Sequence, residues 1–224
     1  VEPGEDPNWT VEEMVRDYLA ELRRERPAGP YRLGGWSMGG LVAFEMARQA
    51  EAMGESVELL ALVDPPLPGG ADSRPLSEAD DPGLLASFAR HLGIPAEILP
   101  FDPTERLRHA WEAARGEGIV PPDLDLTRFG RLWNVFRHNV EALRLYRPGR
   151  GSAGADMLVI YAADRNAPPE TAIAAWRALT TGRVELAISP GDHFSMVREP
   201  HVRQLAARLA GALASLPDPI SGIP

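Results

Sequence analysis

The chain has 224 residues, of which 44% are hydrophobic and 25% are charged, and its formal net charge is −9. This composition predicts a globular protein with one sizeable core, and the negative charge argues against nucleic acid or an anionic membrane as a partner. All 23 basic residues are arginine and there is no cysteine, which excludes Schiff-base chemistry on lysine, disulfides and thiol nucleophiles.

The first elements have clear boundary signals. Thr10, followed three residues later by a glutamate, predicts a capping box that begins a helix. Residues 31–36 predict a short buried strand. A second helix is expected from about Met38 to Met53, where Gly54 ends it. The continuous apolar run 57–63 predicts a central parallel strand that is covered on both faces.

After residue 64 the pattern changes, and then strands and helices alternate again. The segment 65–148 predicts a mostly helical lid insertion with a return helix. The later elements are expected at residues 157–163, 169–180, 184–188 and 200–215. Alternating strands and helices imply a parallel sheet with right-handed crossovers, so the predicted fold class is α/β. Residues 1–64 and 149–216 are assigned to the core, and residues 217–224 to a tail.

The sequence Gly35-Trp36-Ser37-Met38-Gly39 fits the pattern G-x-S-x-G between a predicted strand and a predicted helix. In this context a serine is held on a sharp turn as a nucleophile, and we expect both glycines to be needed because the bends leave no room for a Cβ atom. The backbone N–H of Met38 would face a developing oxyanion. The alternatives are a glycine-rich turn without chemistry and a phosphate loop, but a phosphate loop would need a lysine.

A nucleophilic Ser37 needs an imidazole base, and the chain contains five histidines. His193 is the candidate base because it lies in a loop with proline and glycine, directly after an apolar strand. That loop can carry the ring to the carboxyl edge of the sheet. The other four histidines lie on predicted helices or at a helix end, where a surface position explains them: His91, His109, His138 and His201.

Two aspartates are candidates for the acid that orients the base. Asp64 and Asp164 each follow a predicted strand, and either could accept a hydrogen bond from the ring of His193. Either could equally be a turn or cap residue. Asp192 is set aside because the residue directly before a histidine is expected to point away from its ring. The chain order serine, aspartate, histidine is that of α/β-hydrolases.

Several stretches resemble the chain-releasing, or type I, thioesterase domains of nonribosomal peptide synthetases and polyketide synthases, within the α/β-hydrolase superfamily. The resemblance covers most of the chain except about residues 70–125. It is strongest in the stretch GPYRLGGWSMGGLVAFEMARQ. The other stretches that carry it are TVEEMVRDYLAELRRERPAGPY, LLALVDPPLPG, NVEALRLYRP and GDHFSMV.

The resemblance implies a role for each candidate residue. Ser37 would be the nucleophile, His193 the general base and then acid, and Asp64 the orienting acid. Asp64 is favoured because in these release domains the acid usually follows the strand after the nucleophile. Asp164 stays in reserve, because stand-alone editing thioesterases often place the acid one strand later. Met38 would supply a backbone donor to the oxyanion hole.

The resemblance also implies a substrate and a reaction. A carrier protein, placed upstream in the same polypeptide, would deliver an acyl or peptidyl thioester on phosphopantetheine. Release would occur by hydrolysis or macrocyclisation through a seryl acyl-enzyme, without a metal or a bound cofactor, in a bacterial cytoplasm. The alternatives are an editing thioesterase, a general serine esterase and a non-enzymatic binding module. Four aromatic residues could line an acyl channel or simply pack between the lid helices: Phe88, Trp111, Trp133 and Phe136.

In one respect the chain departs from the family pattern. Family members have several strands and a helix before the segment where this chain begins, and a loop there supplies the second oxyanion donor. Nothing before Thr10 could form these elements, so we expect the amino-terminal strands of the fold to be absent. The strand at residues 31–36 should then lie at an open edge of the sheet.

Overall fold

The structure is a computed structural model. It describes residues 10–67, 81–100, 102–149, 153–165 and 169–216, and the predicted tail lies outside these ranges. The described residues form two compact units, a helical unit between residues 81 and 145 and a sheet unit made of the residues before and after it. Within the described ranges, no helix has both the length and the apolar character needed to cross a membrane.

The sheet unit contains four parallel strands in the order β1-β2-β3-β4. They are β1 (Tyr31–Trp36), β2 (Val57–Val63), β3 (Met157–Ala162) and β4 (Val184–Ser189). This arrangement confirms the predicted strands and their parallel pairing. Every residue of β2 except Glu58 is buried, as expected for a central strand with both faces covered.

Strand β1 differs from its prediction in burial. Only Tyr31 among its residues is buried, and in the described sheet β1 pairs with β2 alone. The expectation of a buried strand is therefore wrong, because a strand at the edge of a sheet has a neighbour on one side only. The expected edge position is confirmed for the described residues.

The helices follow the predicted order. Their ends agree with the predictions to within about one helical turn, which is the usual uncertainty of helix boundaries. The capping box is present, because Thr10 Oγ accepts from Glu13 N–H at 3.2 Å and Glu13 Oε2 accepts from Thr10 N–H at 3.0 Å. The helices are α1 (Val11–Glu25), α2 (Met38–Ala52), α3 (Asp81–His91), α4 (Pro103–Gly116), α5 (Leu126–Leu145), α6 (Pro169–Arg177) and α7 (Val202–Ala214).

The helical unit has its own aromatic core. The ring of Phe88 lies 5.5 Å from that of Phe129, 5.8 Å from that of Trp133 and 5.3 Å from that of Phe136, measured between centroids. Trp111 packs against the same cluster. Packing between helices, one of the two predicted explanations for these aromatic residues, is therefore confirmed.

A buried carboxylate joins helix α2 to the first residue after the helical unit. Glu45 is completely buried and accepts hydrogen bonds from Arg48 at 2.7 and 2.6 Å, from Gln49 at 2.8 Å and from the Tyr146 hydroxyl at 2.8 Å. Burial alone would raise the pKa of Glu45, but these donors outweigh burial and lower it. Burial and the charge of Glu45 raise the pKa of Tyr146, so the phenol keeps its proton and donates it.

We expect Tyr146→Phe to lower the free energy of unfolding by about 1–3 kcal/mol, because Glu45 would lose one donor while remaining buried and charged. Urea unfolding measures this loss. Tyr18→Phe is the matched control, since Tyr18 is 49% exposed on α1, and its effect should stay within about 0.5 kcal/mol. Equal losses in the two variants would contradict a specific contribution from the Tyr146 hydroxyl.

Candidate active site

Ser37 lies on a strained turn between β1 and α2. Its backbone angles are φ 55° and ψ −126°, and a left-handed φ of this kind persists in a serine only where the surrounding structure imposes it. Two backbone hydrogen bonds hold the turn, from Ser37 N–H to Val63 O at 2.8 Å and from Gly40 N–H to Ser37 O at 2.9 Å. This local geometry is typical of a nucleophile elbow.

The glycines of this turn differ in their surroundings. A Cβ atom on Gly35 would lie 2.1 Å from both C and O of Gly39, so the turn requires glycine at position 35. A Cβ atom on Gly39 would meet nothing within 4 Å, and the expectation that Gly39 also lacks room is wrong. It is the backbone of Gly39 that lies close to Gly35, while the side-chain position of Gly39 faces open space. The second tight position is Gly40, where a Cβ atom would lie 3.1 Å from Cβ of Pro65.

Asp64 and His193 form a direct hydrogen bond, although they are 129 residues apart in the chain. The distance between Asp64 Oδ2 and His193 Nδ1 is 2.6 Å. Asp64 directly follows β2, and His193 lies in the loop after β4. Because parallel strands end at the same edge of a sheet, the two loops meet there. The structure therefore brings together two of the residues that the sequence singled out.

The second oxygen of the Asp64 carboxylate has donors of its own. Oδ1 accepts from the backbone N–H of Ala162 at 3.1 Å and from Arg165 Nη1 at 3.3 Å. Burial alone would raise the pKa of Asp64, but the hydrogen bonds from His193 and Ala162, together with the charge of Arg165, outweigh burial and hold the pKa below its ordinary value. The carboxylate therefore stays ionised near neutral pH and can stabilise a protonated imidazole.

Asp164, the reserve acid, has a different environment. It is exposed, and its backbone N–H donates to Gly191 O at 3.1 Å. The next residue, Arg165, is the one that reaches Asp64. The turn after β3 thus contributes a cation, not a second carboxylate, to the neighbourhood of Asp64. Sequence analysis did not identify Arg165, because an arginine in a turn carries no local signal of its partner.

Trp36 packs the end of β1 against the ring of His193. The two ring centroids are 4.9 Å apart with an angle of 26° between the planes, and the indole Nε1 donates to His193 O at 3.2 Å. Since Ser37 directly follows Trp36, this contact brings the G-x-S-x-G motif and the histidine loop to the same place. The sequence motif leaves its second position open, so the contribution of Trp36 was missed.

The loop that carries His193 is held by its own side chains. Asp192 Oδ1 accepts from the N–H groups of Phe194 at 2.8 Å and Ser195 at 2.7 Å, and Ser195 Oγ accepts from Asp192 N–H at 2.9 Å. These backbone donors lower the pKa of Asp192, and the N–H of Ser195 has the largest effect. The spacing D-x-x-S is a local capping signal from which this role could have been predicted.

Three other histidines have ordinary helix contacts. In each, the Nδ1 atom lies 2.7–3.0 Å from the carbonyl oxygen four residues earlier on its own helix. Their predicted placement on helices of the inserted segment is confirmed. They are His91, His109 and His138, while His201 directly precedes α7.

Comparisons with known proteins cover nearly the whole chain. A family model described as "Thioesterase domain" matches residues 2–213. An atromentin synthetase of Paxillus involutus, invA5, is 28% identical over 214 residues, which make up 90% of this chain and 22% of that protein. The chain spans 22–23% of the length of the first curated relatives that it matches. These relatives are fungal, which does not fit the expected bacterial source.

Solved structures show the same fold. A four-domain nonribosomal peptide synthetase bound to AMP and glycine is 28% identical with a TM-score of 0.76, and the match covers 93% of this chain and 16% of that chain. The NocB thioesterase domain, in a covalent complex with a fluorophosphonate nocardicin G analogue, is 25% identical with a TM-score of 0.61. That match covers 95% of this chain and 79% of the other. The α/β-hydrolase fold class predicted from the sequence is thereby confirmed.

The unequal surroundings of Gly35 and Gly39 predict unequal effects of a methyl group. Gly35→Ala should lower the free energy of unfolding by more than about 3 kcal/mol or prevent folding, because the new Cβ would overlap backbone atoms. Gly39→Ala should leave stability unchanged or raise it by about 0.5–1 kcal/mol, since alanine suits a helix better than glycine. Thermal and urea unfolding measure both effects, and equal tolerance would contradict the turn geometry.

Proposed function

The chain belongs to the thioesterase domain family, and we propose that it releases an acyl or peptidyl chain from a carrier-protein phosphopantetheine thioester through a seryl acyl-enzyme. The observation that carries the proposal is the 2.6 Å hydrogen bond between His193 and Asp64, at the sheet edge where β1 leads into Ser37. The match to multidomain synthetases supports a carrier domain upstream in the same polypeptide.

In the first half of the proposed reaction, His193 Nε2 takes the proton of the Ser37 hydroxyl as its oxygen attacks the thioester carbonyl. The resulting tetrahedral intermediate breaks its C–S bond, the thiol leaves with the proton from His193, and the acyl group stays on Ser37 as an ester. Asp64 accepts from Nδ1–H of His193, which puts the basic lone pair of the ring on Nε2. The ionised carboxylate also stabilises the imidazolium that forms.

In the second half, water or a hydroxyl or amine of the bound chain attacks the ester carbonyl while His193 takes its proton. The bond between the acyl carbon and Ser37 Oγ then breaks, and His193 returns the proton to the serine oxygen. Water gives a free acid, and an internal nucleophile gives a ring. Met38 N–H, at the N-terminus of α2, would donate to the oxyanion in both halves, and the helix field favours the negative charge there. These steps use the side chains of the protein and the carrier-bound phosphopantetheine, with no metal. We further propose that residues 65–148 form a lid.

A fluorophosphonate probe should label the intact protein at Ser37, because the proposed nucleophile attacks phosphorus as it attacks a carbonyl. NocB, to which this chain is similar, forms such a covalent complex. Ser37→Ala should abolish labelling, whereas Ser215→Ala, at the exposed end of α7, should label as the parent protein does. Mass spectrometry of the labelled peptide measures the site. An unlabelled parent protein would favour the binding-module alternative over an enzyme.

The choice between the two candidate acids predicts a clear difference in turnover. Asp64→Asn should lower kcat on an acyl-pantetheine thioester by about 10³–10⁴-fold, because an amide at this position favours the wrong tautomer of His193. Asp164→Asn should change kcat by less than about twofold, since its exposed side chain leaves the Asp64–His193 pair intact. Steady-state kinetics of thiol release measure both. The reverse pattern would assign the acid to Asp164, as in editing thioesterases.

A further inference from the structure

The turn after β3 places a cation beside the Asp64–His193 pair. Arg165 Nη1 lies 3.3 Å from Asp64 Oδ1, while His193 Nδ1 lies 2.6 Å from Oδ2. The two donors therefore use opposite oxygens of one carboxylate, whose side chain is only 7% exposed. The Arg165 side chain is 21% exposed. Charges with so little contact with water are screened less than those at an open surface.

Arg165 makes a second contact, with an aromatic ring of strand β3. Its Cζ atom lies 4.1 Å from the centroid of the Tyr161 ring, a cation–π distance that suits a guanidinium. Tyr161 is completely buried, and its hydroxyl accepts from Trp176 Nε1 at 2.9 Å. The aromatic ring under Arg165 is thus itself fixed, so the guanidinium has a defined place beside the carboxylate.

The same turn is hydrogen-bonded to the base of the histidine loop. Ala163 N–H donates to Ser189 O at 2.8 Å, and Asp164 N–H donates to Gly191 O at 3.1 Å. Arg165 and His193 therefore extend from two backbone segments that are tied to each other. A change in the position of one segment would move the other.

We propose that Arg165 is a positioning residue that orients the Asp64 carboxylate and places a positive charge beside the charge that His193 gains in the reaction. This inference rests on the proposed serine-hydrolase function. By binding Oδ1 together with the Ala162 N–H, Arg165 helps to keep Oδ2 directed at the histidine. Its positive charge also opposes the positive charge that the imidazole gains when it takes a proton.

Other charged or titratable groups surround the same histidine. Asp64 faces it from the end of β2, and Asp192 lies next to it in its own loop, so two carboxylates place negative charge near the ring. His201, at the start of α7, lies close to Gly191 at the base of the loop. Strand β1 contributes the uncharged ring of Trp36. Arg165 is therefore placed to offset two carboxylates.

The test is the pH profile of kcat/KM for Arg165→Gln with an acyl-pantetheine thioester. The pH of half-maximal kcat/KM on the acidic side should rise by about 0.5–1 unit, because the neutral side chain no longer opposes protonation. We expect kcat at the optimum to fall about tenfold, with KM nearly unchanged. Arg165→Lys should keep the acidic limb of the parent protein, because it retains the charge, but should lose part of kcat with the planar fork.

Arg32→Gln is the matched control. Arg32 Nε pairs with Glu58 at 3.0 Å and its side chain is 25% exposed, but it lies near the start of β1, away from the loops at the strand ends. The acidic limb of the pH profile and the kcat of Arg32→Gln should equal those of the parent protein. Arg165→Met, which keeps an apolar contact with Tyr161, is a second neutral variant and should show the same shift of the acidic limb. It allows the test to be made even if Arg165→Gln folds poorly.

The outcomes separate this inference from the proposed function. An acidic limb that stays in place in both neutral Arg165 variants, or that moves equally in Arg32→Gln, overturns the role of Arg165. If the parent protein is labelled by fluorophosphonate at Ser37 in that case, the hydrolase proposal survives alone. If the parent protein is neither labelled nor active, both proposals fail together.

Discussion

The register of three neighbouring parallel strands is the constraint on which the candidate site depends. Asp64 directly follows β2 and β4 leads to His193, and the strand between them supplies the Ala162 N–H that binds the same carboxylate. A shift of β3 by one residue would turn its side chains to the opposite faces and remove this donor. The site is thus an extension of the strand pairing, and the buried β2 and β3 make that pairing the most protected part of the sheet unit.

The strained backbone of the site is held by the same ladder. Ser37 and Asp64 have φ values of 55° and 42°, in a region that costs a non-glycine residue about 1 kcal/mol or more. Ser37 N–H donates to Val63 O at 2.8 Å and Asp64 N–H donates to Ile160 O at 2.7 Å. The backbone N–H of each strained residue therefore donates a hydrogen bond to the next strand. Strain maintained in this way is characteristic of sites that must hold a reactive group in one orientation, which supports the proposed nucleophile.

Charge in the site is arranged around one ionised carboxylate. Asp64 accepts hydrogen bonds on both carboxylate oxygens, so the electric field of its negative charge acts on His193 from a fixed position. Arg165, held over the Tyr161 ring, limits that field. A reaction in which the imidazole must first accept and then return a proton needs a basicity between two extremes. Asp64 and Arg165 place one charge of each sign beside that imidazole.

Local signals were enough to identify the elements and several of the residues: the capping box at Thr10, the parallel strands, and a serine on a turn that requires glycine at Gly35. From the residues alone, Asp64 and Asp164 remained equivalent, and resemblance to a family was needed to prefer one. Three features became known only from the folded protein: which carboxylate lies against His193, the stacking of Trp36 on its ring, and the room for a Cβ atom at Gly39. The physical reason is that local patterns specify backbone conformation over a few residues, whereas these contacts depend on strand register and on side chains that meet across the sheet edge.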